Sequence, residues 1–183
     1  GCKDNQAQHK GNTTSMNTNS DPNLPLIESA SALIEQGQLK EAAATLNKAR
    51  QQIPNDPRVY MLASLMTEKA GNVAGAFQLM EQGLTLAPQW APGIVELAKL
   101  QARQGHFPEA QENAATALQL EPDNPDVLTG AINVAHLTGQ IALAVQHLRH
   151  GLAQHPSNAK WRHMLATNLS QLGQHDDALA QWD

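Results

Sequence analysis

A single cysteine, Cys2, stands among the 183 residues, so no disulfide can form within the chain and a cysteine-built zinc site is disfavoured. Aromatic side chains are scarce too, at 3% against 41% hydrophobic residues. A core with so few rings has to be made of many close helix crossings lined by Ala and Leu, not of one large aromatic centre. No run of 18 apolar residues occurs, so no segment reads as a bilayer-spanning helix. Basic excess is missing as well: 12 Lys and Arg against 17 Asp and Glu give a formal charge of −5, which argues against a nucleic-acid partner. CxxCH, GxSxG, HExxH and Walker sequences are all absent, which excludes covalent haem attachment and leaves catalysis without a recognisable centre. Scattered acidic residues, Asp176-Asp177 among them, fall mainly in turns and first helical turns, where they cap helices and match the helix dipole. The expectation is a binding protein with no enzymatic activity, cofactor or metal.

What the chain does contain is a period. Gly37, Gly71, Gly105, Gly139 and Gly173 are 34 residues apart, and Ala42, Ala76, Ala110, Ala144 and Ala178 keep the same step. Pro54, Pro88, Pro122 and Pro156 follow it as well. Each residue type has a physical role. Gly closes a first helix in the left-handed conformation, Ala lets two helix backbones approach, and Pro stops the second helix. Gly83 and Gly151 share a phase inside second helices. Each costs about 0.5–1 kcal/mol relative to Ala, so they read as points of close contact. Asn55-Asp56-Pro57 and Asp123-Asn124-Pro125 read as capped helix starts. In the second repeat Tyr60, Ala63, Ser64 and Thr67 are expected to face inward.

This pattern resembles the tetratricopeptide repeat family over residues 23–183. The units run 23–56, 57–90, 91–124, 125–158 and, in part, 159–183. Ala30, Ser64, Ala98 and Ala166 keep the family's small residue in mid first helix, Ile132 departs from it, and Tyr60 is the nearest match to the consensus aromatics. The resemblance implies an all-α, right-handed α-solenoid of helix-turn-helix units whose first helices line a concave groove. By phase, the partner-binding residues of that groove are Arg58, Met61, Leu65, Lys69, Val95, Lys99, Arg103 and Asn133. Four of these are cations, opposed mainly by Glu68, which points to a ligand with carboxylates or a C-terminal segment. The alternative is that long charged side chains merely solvate an open helical face. Met61, Leu65 and Val95 offer an apolar strip for a helix or an extended peptide. The Lys-and-Asn clamp that some family members close on a peptide carboxylate is broken here, with Ser31, Leu65 and Thr167 where Lys99 and Asn133 would need companions.

His147 and His150 share a helical face at the spacing two metal ligands use, without an acidic or Cys companion nearby in sequence. Polar-face histidines are the ordinary reading.

Gly1-Cys2 resembles the end of a bacterial lipobox, and residues 1–22 are too polar to fold, so they read as a flexible tether behind a lipidated Cys2. Lys3, by resemblance to enterobacterial sorting, favours the outer membrane. The alternative makes Gly1 a cloning remnant and Cys2 an ordinary thiol. The expected function is a periplasm-facing scaffold that binds a protein or peptide partner in a secretion, pilus, polysaccharide-export or cytochrome-maturation complex. Two alternatives stay open. One is a permanent subunit of a membrane-associated complex, using an open end near Leu179 and Trp182; the other is the repeat region of a longer enzyme.

Overall fold

The computed structural model describes residues 21–173 and Gln181. Cys2 with the rest of the 1–20 stretch, and Leu179 and Trp182, lie outside the described residues. The described residues form helices and turns with no strand. The helices are α1 (Leu24–Glu35), α2 (Leu39–Gln52), α3 (Pro57–Lys69), α4 (Val73–Leu86), α5 (Ala91–Arg103), α6 (Phe107–Leu120), α7 (Pro125–Leu137), α8 (Ile141–Gln154) and α9 (Ala159–Gln171). They belong to two compact units, Gly1–Ile53 and Pro54–Asp183. The break falls just before the expected start of the second repeat.

Each first helix ends in the same way. The five periodic glycines have φ between 75° and 89°, and after Gly37, Gly71, Gly105 and Gly139 the next amide donates back across the turn. His106 N–H reaches the Gln101 carbonyl at 2.9 Å and Gln140 N–H the Ala135 carbonyl at 2.8 Å. This closure satisfies carbonyls that the helix end would otherwise leave open. Helix starts match the sequence reading. Pro57 and Pro125 open α3 and α7, whose caps Asp56 and Asn124 accept from Arg58 N–H at 3.0 Å and Asp126 N–H at 2.9 Å.

In the first unit, Ile27, Ala30 and Ile34 of α1 and Ala42, Leu46 and Ala49 of α2 are buried. In the second, α3 pairs with α4, α5 with α6 and α7 with α8, and α5 also packs against both α3 and α7. Ala76, Ala110 and Ala144 are wholly buried. Ser64, in the phase where α1, α5 and α9 have Ala, donates its hydroxyl to the Ala76 carbonyl at 2.7 Å. Its burial is thereby matched by a hydrogen bond. Tyr60 and Thr67 are only half-buried, because the helix presents Val59 and Leu62 to the interior instead. One ring does anchor a core: buried Trp161 packs with Leu128, Ile132, Leu148, Leu165 and Leu169.

A helical-repeat partner face

Within the second unit the first helices of successive pairs are joined by three side-chain contacts. Between α5 and α3, Arg103 donates through Nε to Glu68 Oε2 at 2.8 Å and through Nη2 to Glu68 Oε1 at 2.7 Å. Between α5 and α7, Val95 fits over Gly130, where a Cβ would come within 2.6 Å of Val95 Cγ2. Between α7 and α9, the Asn168 amide nitrogen lies 2.8 Å from His136 Nε2, which requires Nε2 to be the unprotonated ring nitrogen. Asn168 is 4% exposed, so this hydrogen bond matches a polar group that would otherwise be costly to bury.

These contacts correct the expected groove in two respects. Val95 is not available to a partner. It is 2% exposed, in a cluster with Ala91, Ile94, Ala117 and Val127, because Gly130 opposite lets α5 and α7 close around it. The cations, moreover, do not form an open basic field. Arg58 pairs with Asp56 at 2.6 Å, Lys99 with Glu96 at 2.8 Å, and Arg103 with Glu68. At Arg58, Lys99 or Arg103 a carboxylate ligand would have to displace one of the chain's own carboxylates. Lys69 is exposed in the last turn of α3. Met61 and Leu65 on α3, Lys99 on α5 and Asn133 on α7 are half-buried, partly open to a partner. Glu96 was legible from its helical spacing to Lys99. Asn168 had a subtler signal: it is polar in the phase where Leu100 and Val134 are apolar.

The late histidines acquire an acidic companion that their spacing did not reveal. Asp123, in the α6–α7 turn, lies 3.2 Å from His150 Nε2 and accepts from Gln154 Nε2 at 2.8 Å. Those hydrogen bonds, that from Gln154 first, hold the Asp123 carboxyl below the usual carboxylate range. Burial, and secondarily the His150 charge, push the His147 imidazole below its ordinary value. Among the described residues no three His, Cys, Asp or Glu side chains gather to hold a metal, and no helix is long and apolar enough to cross a membrane.

Repeated helix pairs joined through their first helices, with a partly open side-chain face, define an α-helical repeat scaffold for protein interaction. The chain belongs to the tetratricopeptide repeat family, which matches residues 16–66, 95–159 and 161–183, together well over half of it. Cellulose synthase operon protein C of Pseudomonas fluorescens (strain SBW25) is 34% identical over 88 residues, 47% of this chain and 7% of that protein. The chain spans a quarter or less of the curated relatives it matches. The solved structure of Pseudomonas aeruginosa pilF has a TM-score of 0.72 at 16% identity, over 87% of this chain and 72% of the other. A thermophilic TPR protein of Thermus thermophilus has a TM-score of 0.69 at 21% identity, over 87% of each chain. At these identities the structural likeness is one of fold.

Proposed function

We propose that this chain is a non-catalytic scaffold whose first-helix face holds a protein partner while a bacterial envelope complex is assembled or stabilised. The single observation that carries the reading is the joined row α3, α5, α7 and α9. It supports Met61, Leu65, Lys99 and Asn133 at fixed spacing without using up their exposed surface. Rigid, pre-spaced contacts lower the ordering cost of binding. The ion pairs favour a partner that engages Met61 and Leu65 through apolar side chains over one led by carboxylates.

The envelope location is proposed on the Gly1-Cys2-Lys3 start and the polar stretch behind it: an acylated Cys2 would tether the scaffold to the periplasmic side of the outer membrane. The names of two similar proteins, from a cellulose synthase operon and from pilF, keep polysaccharide-export and pilus machines among the candidate settings.

Immobilised protein exposed to an envelope extract tests the scaffold. The Leu65→Glu and Lys99→Glu variants are expected to lose the captured partner at least about tenfold while keeping their helical circular dichroism. Unchanged capture by both refutes the face. Mass spectrometry of the native N-terminus tests the tether separately. Acyl chains on Cys2 are expected, and an unmodified thiol removes the envelope location while leaving the scaffold standing.

A further inference from the structure

A shared register does not oblige repeats to share volume. Where α4, α5 and α6 meet, three matching positions hold Met80, Leu97 and Gln101; one repeat later, at α6, α7 and α8, they hold Ala114, Ala131 and Ala135. A repeat further on they hold Leu148, Leu165 and Leu169. The flanking sets are taken up in packing or hydrogen bonding. Met80 is buried, Gln101 accepts from the Asn113 amide at 2.8 Å, and Leu148, Leu165 and Leu169 surround Trp161. Phe77 closes the first junction edge-on to the His106 ring, 6.0 Å between centroids, whereas the matching residues of the middle junction are Gln111 and Gln140.

The three alanines leave a cleft of about 440 Å³ between α6 and α8. Ala131, Val134 and Ala135 of α7 floor it, and Leu118 and Leu143 wall it. Gln111, Gln119, Gln140 and His147 supply its polar groups. No Asp, Glu, Lys or Arg lines it, and burial keeps the His147 imidazole neutral at pH 7. An ionic ligand entering such a lining would lose hydration without meeting a counter-charge. An apolar one would restore the contacts that large side chains make in the flanking junctions.

We propose that this cleft is a second binding site, for a small, uncharged, mainly apolar ligand with one hydrogen-bonding group to meet the glutamines or His147. Its volume lies within the range of small-molecule pockets, about 300–1,000 Å³, and its few polar groups on an apolar floor match their composition. Ala131, Val134 and Ala135 lie on a different side of α7 from Asn133, so the site is separate from the first-helix face.

N-phenyl-1-naphthylamine, an uncharged apolar fluorophore, is the probe. Its fluorescence is expected to rise saturably at one molecule per chain, and the sulfonated analogue 8-anilinonaphthalene-1-sulfonate to bind at least about tenfold more weakly. Ala131→Leu restores the residue type of both flanking repeats. It is expected to weaken binding of the uncharged probe at least about tenfold while preserving the helical signal. Ala115→Phe, at an exposed lining position, blocks the mouth without entering the core and decides the matter if Ala131→Leu fails to fold. Absence of saturable binding, or binding that survives Ala115→Phe and every folded Ala131 variant, overturns the site. Partner capture by the first-helix face is read separately, so either proposal can fail alone.

Discussion

Glu68 governs what Arg103 can offer a ligand. The pair is bidentate and partly exposed, with side-chain exposures of 33% for Arg103 and 14% for Glu68. Exposed pairs of this kind contribute about 0–1 kcal/mol to stability, so their larger consequence is to occupy the guanidinium. Glu68→Gln should therefore leave the melting temperature nearly unchanged and raise affinity for a glutamate-rich peptide several-fold, as read by titration calorimetry at low salt. Unaltered affinity would mean that Arg103 is not what excludes acidic ligands. His147 makes a prediction about pH. Its folded-state value is depressed by burial, so the unfolded chain takes up a proton first as pH falls. Stability from this group is complete above its ordinary value near 6.5 and declines as pH drops from there toward the lower folded value. His147→Gln should flatten the fall in melting temperature between about pH 7.5 and 5. The sequence revealed the partner face only in part. The Lys99–Glu96 pair could be read from helical spacing. The Arg103–Glu68 pair and the burial of Val95 depend on which side chains neighbouring helices bring opposite, and a phase argument on one helix does not specify that.

At the scale of the element, two kinds of glycine should fail for different reasons. Gly105 sits at φ +83° with nothing within 4 Å of the place a methyl would take, so Gly105→Ala meets only backbone strain. The expected loss is about 1–2 kcal/mol. Gly151 is helical, and a Cβ there would come within 2.6 Å of Trp161 Cζ3 and 2.8 Å of Leu128 Cδ2. Both of those side chains are buried, so they cannot swing away. Gly151→Ala should lose about 1–3 kcal/mol through overpacking, more than the 0.5–1 kcal/mol that Ala gains in a helix. Urea denaturation of the two variants measures both values, and a more stable Gly151→Ala would show that Trp161 can yield. The turn glycines and the buried Ala42, Ala76, Ala110 and Ala144 were legible because the same constraint recurs from repeat to repeat, and the Pro57 and Pro125 starts because a capping Asp or Asn precedes each. The alanine-lined cleft is a departure between repeats. It shows only when Ala114, Ala131 and Ala135 are set beside Met80, Leu97 and Gln101, and when the helices bring those positions together.

For the whole molecule, the question is how much of the chain can hold itself folded. A stacked repeat gains stability from each module and from its interfaces with neighbours, so short pieces fall below the length that folds. The 1–53 unit carries one helix pair, whose buried side chains are Ile27, Ala30, Ile34, Ala42, Leu46 and Ala49, half of them alanine. That burial is too small to offset the entropy of ordering two helices. A peptide of residues 21–53 should show little helical circular dichroism, whereas residues 54–183, with α3 to α9, should unfold in one cooperative transition. Ending the second piece at residue 156 removes Trp161, Leu165 and Leu169 and uncovers Leu128, Ile132 and Leu148. That shorter piece should melt at a lower temperature and bind apolar dyes over the uncovered end. A 21–53 peptide that melts cooperatively on its own would show that a single pair is self-sufficient, and interfaces between modules would then lose their place as the source of the fold's stability.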